Sequence, residues 1–84
     1  MTQMNIEERV KAVVVQQLAV NDIVVETVDN DAHLAHDLGF DSLDLVEGVM
    51  GIEDEFGLEI SDEEGEKLVT VQQVIDYVTA NVRV

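Results

Sequence analysis

The sequence predicts an all-α fold, a three-to-four-helix bundle with a long loop between the first and second helices. Three observations predict it. Proline is absent, while Glu, Gln, Leu and Ala, which suit helix interiors, are plentiful. The many valines recur at helical rather than alternating spacing. Capping signals stand ahead of the apolar runs. At 84 residues the chain is expected to form one small domain over positions 1–84, with a radius of gyration of about 12 Å when compact. It has no cysteine, and no Cys/His cluster for zinc, so helix packing alone must hold it together.

The first helix is expected to start at Asn5-Ile6-Glu7-Glu8, which resembles a capping box with Asn5 as N-cap and Glu8 three residues on. Glu7 and Glu8 also suit the positive end of the helix dipole. Ile6, Val10, Val13, Val14 and Leu18 share one helical face, and the pattern stops near Asn21-Asp22. From Leu18 to Asp41 no period is sustained. Ile23, Val25, Val28, Leu34 and Leu38 are the apolar points expected to pin this long connection, with a short turn of helix near Ala32 to His36. Gly39 punctuates the approach to Asp41.

A second helix is expected from Ser42 to Glu55, with Asp41 as N-cap and Asp44 in the first turn. Leu45, Val49, Ile52 and Phe56 form its inward stripe. Leu43, Val46 and Met50 form another stripe, rotated away from the first. One helix of so small a domain cannot bury both, so the second is expected to be exposed beside Asp44, Glu47 and Asp54. Gly57 ends the helix. Leu58 and Ile60 lead to Ser61-Asp62-Glu63-Glu64, the capped start of a third helix kept short by Gly65. Thr70-Val71-Gln72-Gln73 is another capping-box pattern, opening a last helix with Val71, Val74, Ile75 and Val78 on its inner face.

Charge narrows the partners. Nineteen acidic residues face four basic ones, for a formal net charge of −15. The basic residues, Arg9, Lys11, Lys67 and Arg83, sit toward the ends, and the interval from Lys11 to Lys67 holds sixteen carboxylates and no cation. Nucleic acid and anionic membranes are repelled by such a chain, whereas a partner with a Lys/Arg patch is drawn in quickly and in a salt-dependent way. Acidity also confers solubility on its own. No apolar run approaches the length of a bilayer span, and there is no secretory leader, so a cytoplasmic monomer without membrane insertion is expected.

Catalytic readings fare poorly. A nucleophilic serine needs a general base within reach, and the only candidates are His33 and His36 on the preceding loop. The same pair at i, i+3 lacks further Cys or His ligands to complete a metal site. The run starting at Asp29, DNDAHLAHDLGF, has His33 and Leu34 where a calcium loop needs an acidic ligand and glycine, so it fails as an EF-hand. No Gly-rich phosphate loop is present.

Ser42 remains. Asp41 and Ser42 read as ordinary helix-start residues. Three features add another possibility: a helix N-terminus favours an attached phosphate, an apolar stripe stands beside it, and acidic side chains flank both. A phosphate ester on Ser42 could be seated by the helix end while basic partners dock around it.

The segment Asp37-Leu38-Gly39-Phe40-Asp41-Ser42-Leu43 resembles the D-L-G-x-D-S-L signature of acyl carrier proteins. Glu53-Asp54-Glu55-Phe56-Gly57 resembles the exit of that family's second helix, and Asp62-Glu63-Glu64 with Glu66-Lys67 its third. Ile6 to Val10 and Thr70 to Val78 resemble its first and last helices. The resemblance implies a single, non-catalytic acyl carrier domain in which Ser42 receives 4′-phosphopantetheine from coenzyme A, through a phosphopantetheinyl transferase and Mg²⁺. The arm then supplies the thiol that the polypeptide lacks, acyl chains ride on it as thioesters between separate enzymes, and the chain can fold back into the bundle. It further implies a docking face of Asp41, Leu43, Asp44, Val46, Glu47, Met50 and Asp54 for the transferase and acyl-processing enzymes with basic patches. Fatty acid biosynthesis is the pathway the resemblance suggests first. The alternatives are a specialised carrier for a polyketide or other secondary route, a carrier of aminoacyl groups, or an unmodified acidic helical adaptor.

Four positions depart from the family pattern. Gly48 and Gly51 stand where Leu and Ala are usual, Phe40 replaces a commonly small residue, and Ser61 stands where proline is frequent. Each helical glycine costs roughly 0.5–1 kcal/mol relative to alanine. Gly48 is expected to enlarge or loosen the interior, and Phe40 to alter docking.

Overall fold

The computed structural model describes residues 5–18 and 28–82, so the expectations on Ile23 and Val25 and on the stop near Asn21-Asp22 lie outside the described residues. Four helices follow in order: α1 (Ile6–Leu18), α2 (Ser42–Phe56), α3 (Asp62–Glu66) and α4 (Val71–Asn81). The Cα radius of gyration is 11.9 Å. The long loop between α1 and α2 and the all-helical class agree with the sequence.

Each helix begins where a side-chain oxygen accepts an N–H that the helix itself cannot satisfy. Asn5 Oδ1 accepts from Glu8 N at 2.8 Å, and Ser61 Oγ accepts from Glu64 N at 3.2 Å. At α4, Thr70 Oγ1 accepts from Gln73 N at 3.2 Å while Gln73 Oε1 accepts from Thr70 N at 2.9 Å, completing a capping box. Gly57 ends α2 in the left-handed conformation, φ 66°, and its N–H reaches Glu53 O. The helix runs one residue past the expected Glu55.

The core forms where the stripes meet. Val10 and Val14 of α1, Ile52 of α2, and Val71, Val74, Ile75 and Val78 of α4 are buried. α1 packs against both α2 and α4. Leu45, Val49 and Phe56 are partly buried against this core. Arg9 ties α1 to the end of α2: Nε donates to Glu55 Oε2 at 2.8 Å, Nη2 donates to Glu55 O at 2.9 Å, and the guanidinium lies 4.5 Å from the centre of the Phe56 ring. A cation at a helix C-terminus meets exposed carbonyls and the negative end of the dipole.

The long connection is held by more than its apolar points. Val28 and Leu34 are buried as expected and Leu38 packs partly buried against the core, with Ala32 buried beside them, but backbone bonds also staple the connection to the start of α4. Ala32 O accepts from Val71 N at 3.1 Å, Asn30 O accepts from Gln72 N at 2.7 Å, and Leu34 N donates to Val69 O at 2.9 Å. The first three N–H groups of α4 therefore all have partners, two of them supplied by the loop. The helical turn expected near Ala32 to His36 is a hydrogen-bonded turn over residues 34–38, closed by Asp37 N to His33 O at 2.8 Å and Gly39 N to Ala35 O at 3.1 Å.

Candidate functional site at the start of the second helix

Three local devices set the approach to α2. Gly39 has φ 78°, a left-handed conformation that side chains resist. Phe40 N donates to Leu34 O at 3.0 Å, and the Phe40 side chain is only 5% exposed. With Phe40 anchored inside, the chain turns outward, and Asp41 and Ser42 are exposed. Asp41 Oδ1 accepts from Asp44 N at 2.8 Å, and Asp44 Oδ2 accepts from Asp41 N at 3.1 Å. The two carboxylates that flank Ser42 thus fix the first turn and still carry charge at the surface.

Ser42 is the first residue of α2. Its hydroxyl sits beside the positive end of a fifteen-residue helix, where an attached phosphate is favoured by the dipole and by N–H groups of the first turn. Down the same helix, Leu43 is 64% exposed, Val46 57% and Met50 56%. Glu47 and Asp54 are exposed among them, and Asp44 is half-buried. All seven residues expected to form a docking face lie on α2 or its cap, and the outward stripe is solvent-facing as the periodicity required.

A surface groove of about 760 Å³ runs beside Ser42, with Val46 and Met50 of α2, Asp62 and Glu66 of α3, and Val69 along its walls. His33 also reaches it. By sequence a candidate base or ligand, this histidine accepts at Nδ1 from Ala35 N at 3.2 Å and His36 N at 3.0 Å, so it caps the loop turn. The His36 ring stands 4.2 Å from it. Among the described residues no group of three or more His, Asp or Glu is arranged to hold a metal ion. The α3 side of the groove was missed by sequence reasoning, because five residues carry no period from which a face can be read.

The structure bears on the departures from the family pattern. Phe40 is a core residue. Phe40 takes up part of the space that Gly48 leaves: a Cβ at position 48 would lie 3.4 Å from Phe40 Cε2. A void of about 30 Å³ lies beside them, lined also by Val14, Ile52 and Val74. Gly51 has a different cause, since a Cβ there would meet Val13 Cγ1 at 3.0 Å, closer than ordinary contact, where α1 crosses α2. Ser61 serves as the N-cap of α3.

An exposed hydroxyl on the first turn of a capped helix, with a groove alongside, fits a phosphate-linked prosthetic arm. The chain matches the family model described as the phosphopantetheine attachment site over residues 8–78. Members of that family carry the arm and perform no catalysis themselves. No helix among the described residues is long and apolar enough to cross a membrane. The chain belongs to the phosphopantetheine-attachment family, as a helical carrier domain for 4′-phosphopantetheine consistent with the acyl carrier proteins it resembles.

Proposed function

We propose that Ser42 is the residue to which 4′-phosphopantetheine is joined, and that the chain is a cytoplasmic acyl carrier serving fatty acid biosynthesis. The observation that carries this reading is the exposed first residue of α2, set between two carboxylates and beside an exposed apolar stripe. The arm, when bound, supplies the thiol on which acyl groups are carried. The chain's own residues do the rest. Ser42 presents its hydroxyl at the surface, where a transferase can reach it. The α2 N-terminus offsets the charge of a phosphodiester. Asp41 and Asp44 hold that turn rigid through their reciprocal cap. Leu43, Val46 and Met50 give docking enzymes apolar area, and Asp41, Asp44, Glu47 and Asp54 draw basic patches to it through long-range attraction. The tether keeps the cargo at high effective concentration near each docked enzyme.

A specialised route is the second reading, favoured by Phe40 over Gly48, which leaves little interior space for a long chain. Incubation with coenzyme A, Mg²⁺ and a phosphopantetheinyl transferase tests the attachment itself. A mass gain of about 340 Da is expected, and it is lost in Ser42→Ala. No gain in the wild-type chain, or a gain retained by Ser42→Ala, removes the proposal, and the first result returns the chain to an acidic adaptor role.

A further inference from the structure

We propose that His33 is a pH-operated latch on the turn that delivers Ser42: the neutral imidazole caps that turn, and proton uptake at Nδ1 releases it. The link to arm attachment rests on Ser42 being the attachment point, whereas the latch itself does not.

His33 stands where a Ser, Asn or Asp would ordinarily cap a turn. Its Nδ1 accepts from Ala35 N at 3.2 Å and from His36 N at 3.0 Å. Both bonds use the lone pair of Nδ1, so the neutral ring carries its hydrogen on Nε2. Asp37 Oδ2 completes the arrangement by accepting from His33 N at 2.7 Å. A hydroxyl or amide oxygen in this place accepts at any pH near neutral, but the acceptor of histidine is also its base, and the free side chain gains charge between about pH 5 and 8. Once Nδ1 holds a proton it confronts two N–H donors, and both cap bonds are lost. The turn then keeps only its backbone closures, Asp37 N and Leu38 N to His33 O and Gly39 N to Ala35 O. It ends at Gly39, and Phe40, whose N donates to Leu34 O, leads directly to Asp41 and Ser42. Loosening the turn removes order from the approach to the hydroxyl.

Charges around the ring set where the imidazolium goes. On its own loop, exposed Asp31 and Asp37 attract it, and the His36 ring, with its centre 4.2 Å away, repels it when charged. Across the groove that His33 lines, Glu53 comes from α2 and Asp62 and Glu66 from α3. Glu53 Oε2 is engaged by Ile60 N at 2.8 Å, while Asp62 and Glu66 are exposed. Val69 and Thr70, which pair with the backbone at Leu34 and His33, bring no charge. The half-buried ring therefore has an acidic wall to turn toward when its capping role ends.

Two measurements test this. The apo wild type, His33→Asn and His36→Gln are followed by NMR from about pH 8 to about pH 5, the span in which free histidine titrates. Asparagine keeps an oxygen acceptor for the same two N–H groups and takes up no proton in this range. The wild-type ring is expected as the Nε2–H tautomer at the upper end. Hydrogen-exchange protection of the Ala35 and His36 amides is expected to fall about tenfold toward the lower end, in step with protonation of His33. The same fall is expected in His36→Gln, with protection level in His33→Asn. An Nδ1–H tautomer, protection that ignores the protonation of His33, or an equal fall in His33→Asn overturns the latch. The second measurement is the rate of mass gain with coenzyme A, Mg²⁺ and a phosphopantetheinyl transferase, taken as the ratio of wild type to His33→Asn so that the enzyme's own pH dependence cancels. That ratio is expected to fall several-fold between about pH 8 and about pH 6. A constant ratio overturns the regulation of Ser42 while leaving the attachment reading intact. Absence of any mass gain at either pH overturns the attachment reading and with it the regulation, whereas the amide data decide independently whether His33 latches the turn.

Discussion

Phe40 and Gly48 share one volume, which makes a double-mutant cycle the sharpest test of the packing. Truncation of a buried phenylalanine to alanine costs about 3–5 kcal/mol through lost transfer energy and the cavity left behind. Gly48→Leu removes a helical glycine, a gain of roughly 0.5–1 kcal/mol. Yet its Cβ already lies 3.4 Å from Phe40 Cε2, and the remaining three carbons have only the void of about 30 Å³ and the ring's own space to enter. Overpacking costs about 1–3 kcal/mol, so the single variant is expected to be less stable by about 1 kcal/mol. In the combined variant the leucine occupies the space vacated by the ring. The loss is then expected to be about 2 kcal/mol, well short of the sum, with a favourable coupling of about 2–3 kcal/mol at the upper end for contacting residues. Urea unfolding followed by far-UV circular dichroism, in about 0.2 M NaCl to damp the acidic self-repulsion, measures all four corners. Additivity to within about 0.5 kcal/mol would refute the shared volume.

Salt is expected to raise stability, because a net charge of −15 acts within a radius of gyration of 11.9 Å. The screening length falls from about 30 Å at 0.01 M to about 10 Å at 0.1 M. A melting temperature flat across that range counts against the argument. Acid acts on Glu7, whose carboxyl is held below its ordinary value first by a hydrogen bond from Asn30 and then by the bond and charge of Lys11. A depressed folded value means that Glu7 stabilises above its unfolded value and that this contribution is lost as pH falls through the folded one. The urea midpoints of wild type and Glu7→Gln are therefore expected to differ near pH 6 and to converge by about pH 3, and an unchanged gap contradicts the assignment. Two glycines are expected to diverge. Gly65→Ala places its Cβ 3.6 Å from Val49 Cγ2, in ordinary contact, and gains about 0.5–1 kcal/mol, whereas Gly57→Ala at φ 66° loses about 1–2 kcal/mol. Thermal unfolding that ranks them the other way would disprove this reading of the backbone.

Helix limits were legible in the sequence because capping and periodicity are local. Asp41 and Asp44 exchange bonds three residues apart, as do Thr70 and Gln73, and the two stripes of α2 separate by simple rotation about one axis. The exposed face of Leu43, Val46 and Met50 followed from the same count, as did the placement of Ser42 at a helix start. Ser61 as a cap could be read too, since a hydroxyl three residues before Glu64 is a local signal.

Other features depend on residues distant in the chain. Arg9 meets Glu55 across forty-six positions, and the loop carbonyls of Asn30 and Ala32 satisfy the first turn of α4. No spacing rule joins such partners. The same holds for Phe40, which reads as a surface change beside the attachment motif until the fold turns it inward over Gly48. By itself the sequence determined the helices, the acidic surface and the serine at a positive helix end, because hydrogen-bond capping and periodicity act within a few residues. Only the tertiary structure decided how much room is left between Phe40, Gly48 and the core, because interior volume belongs to whichever side chain distant parts of the chain bring into it.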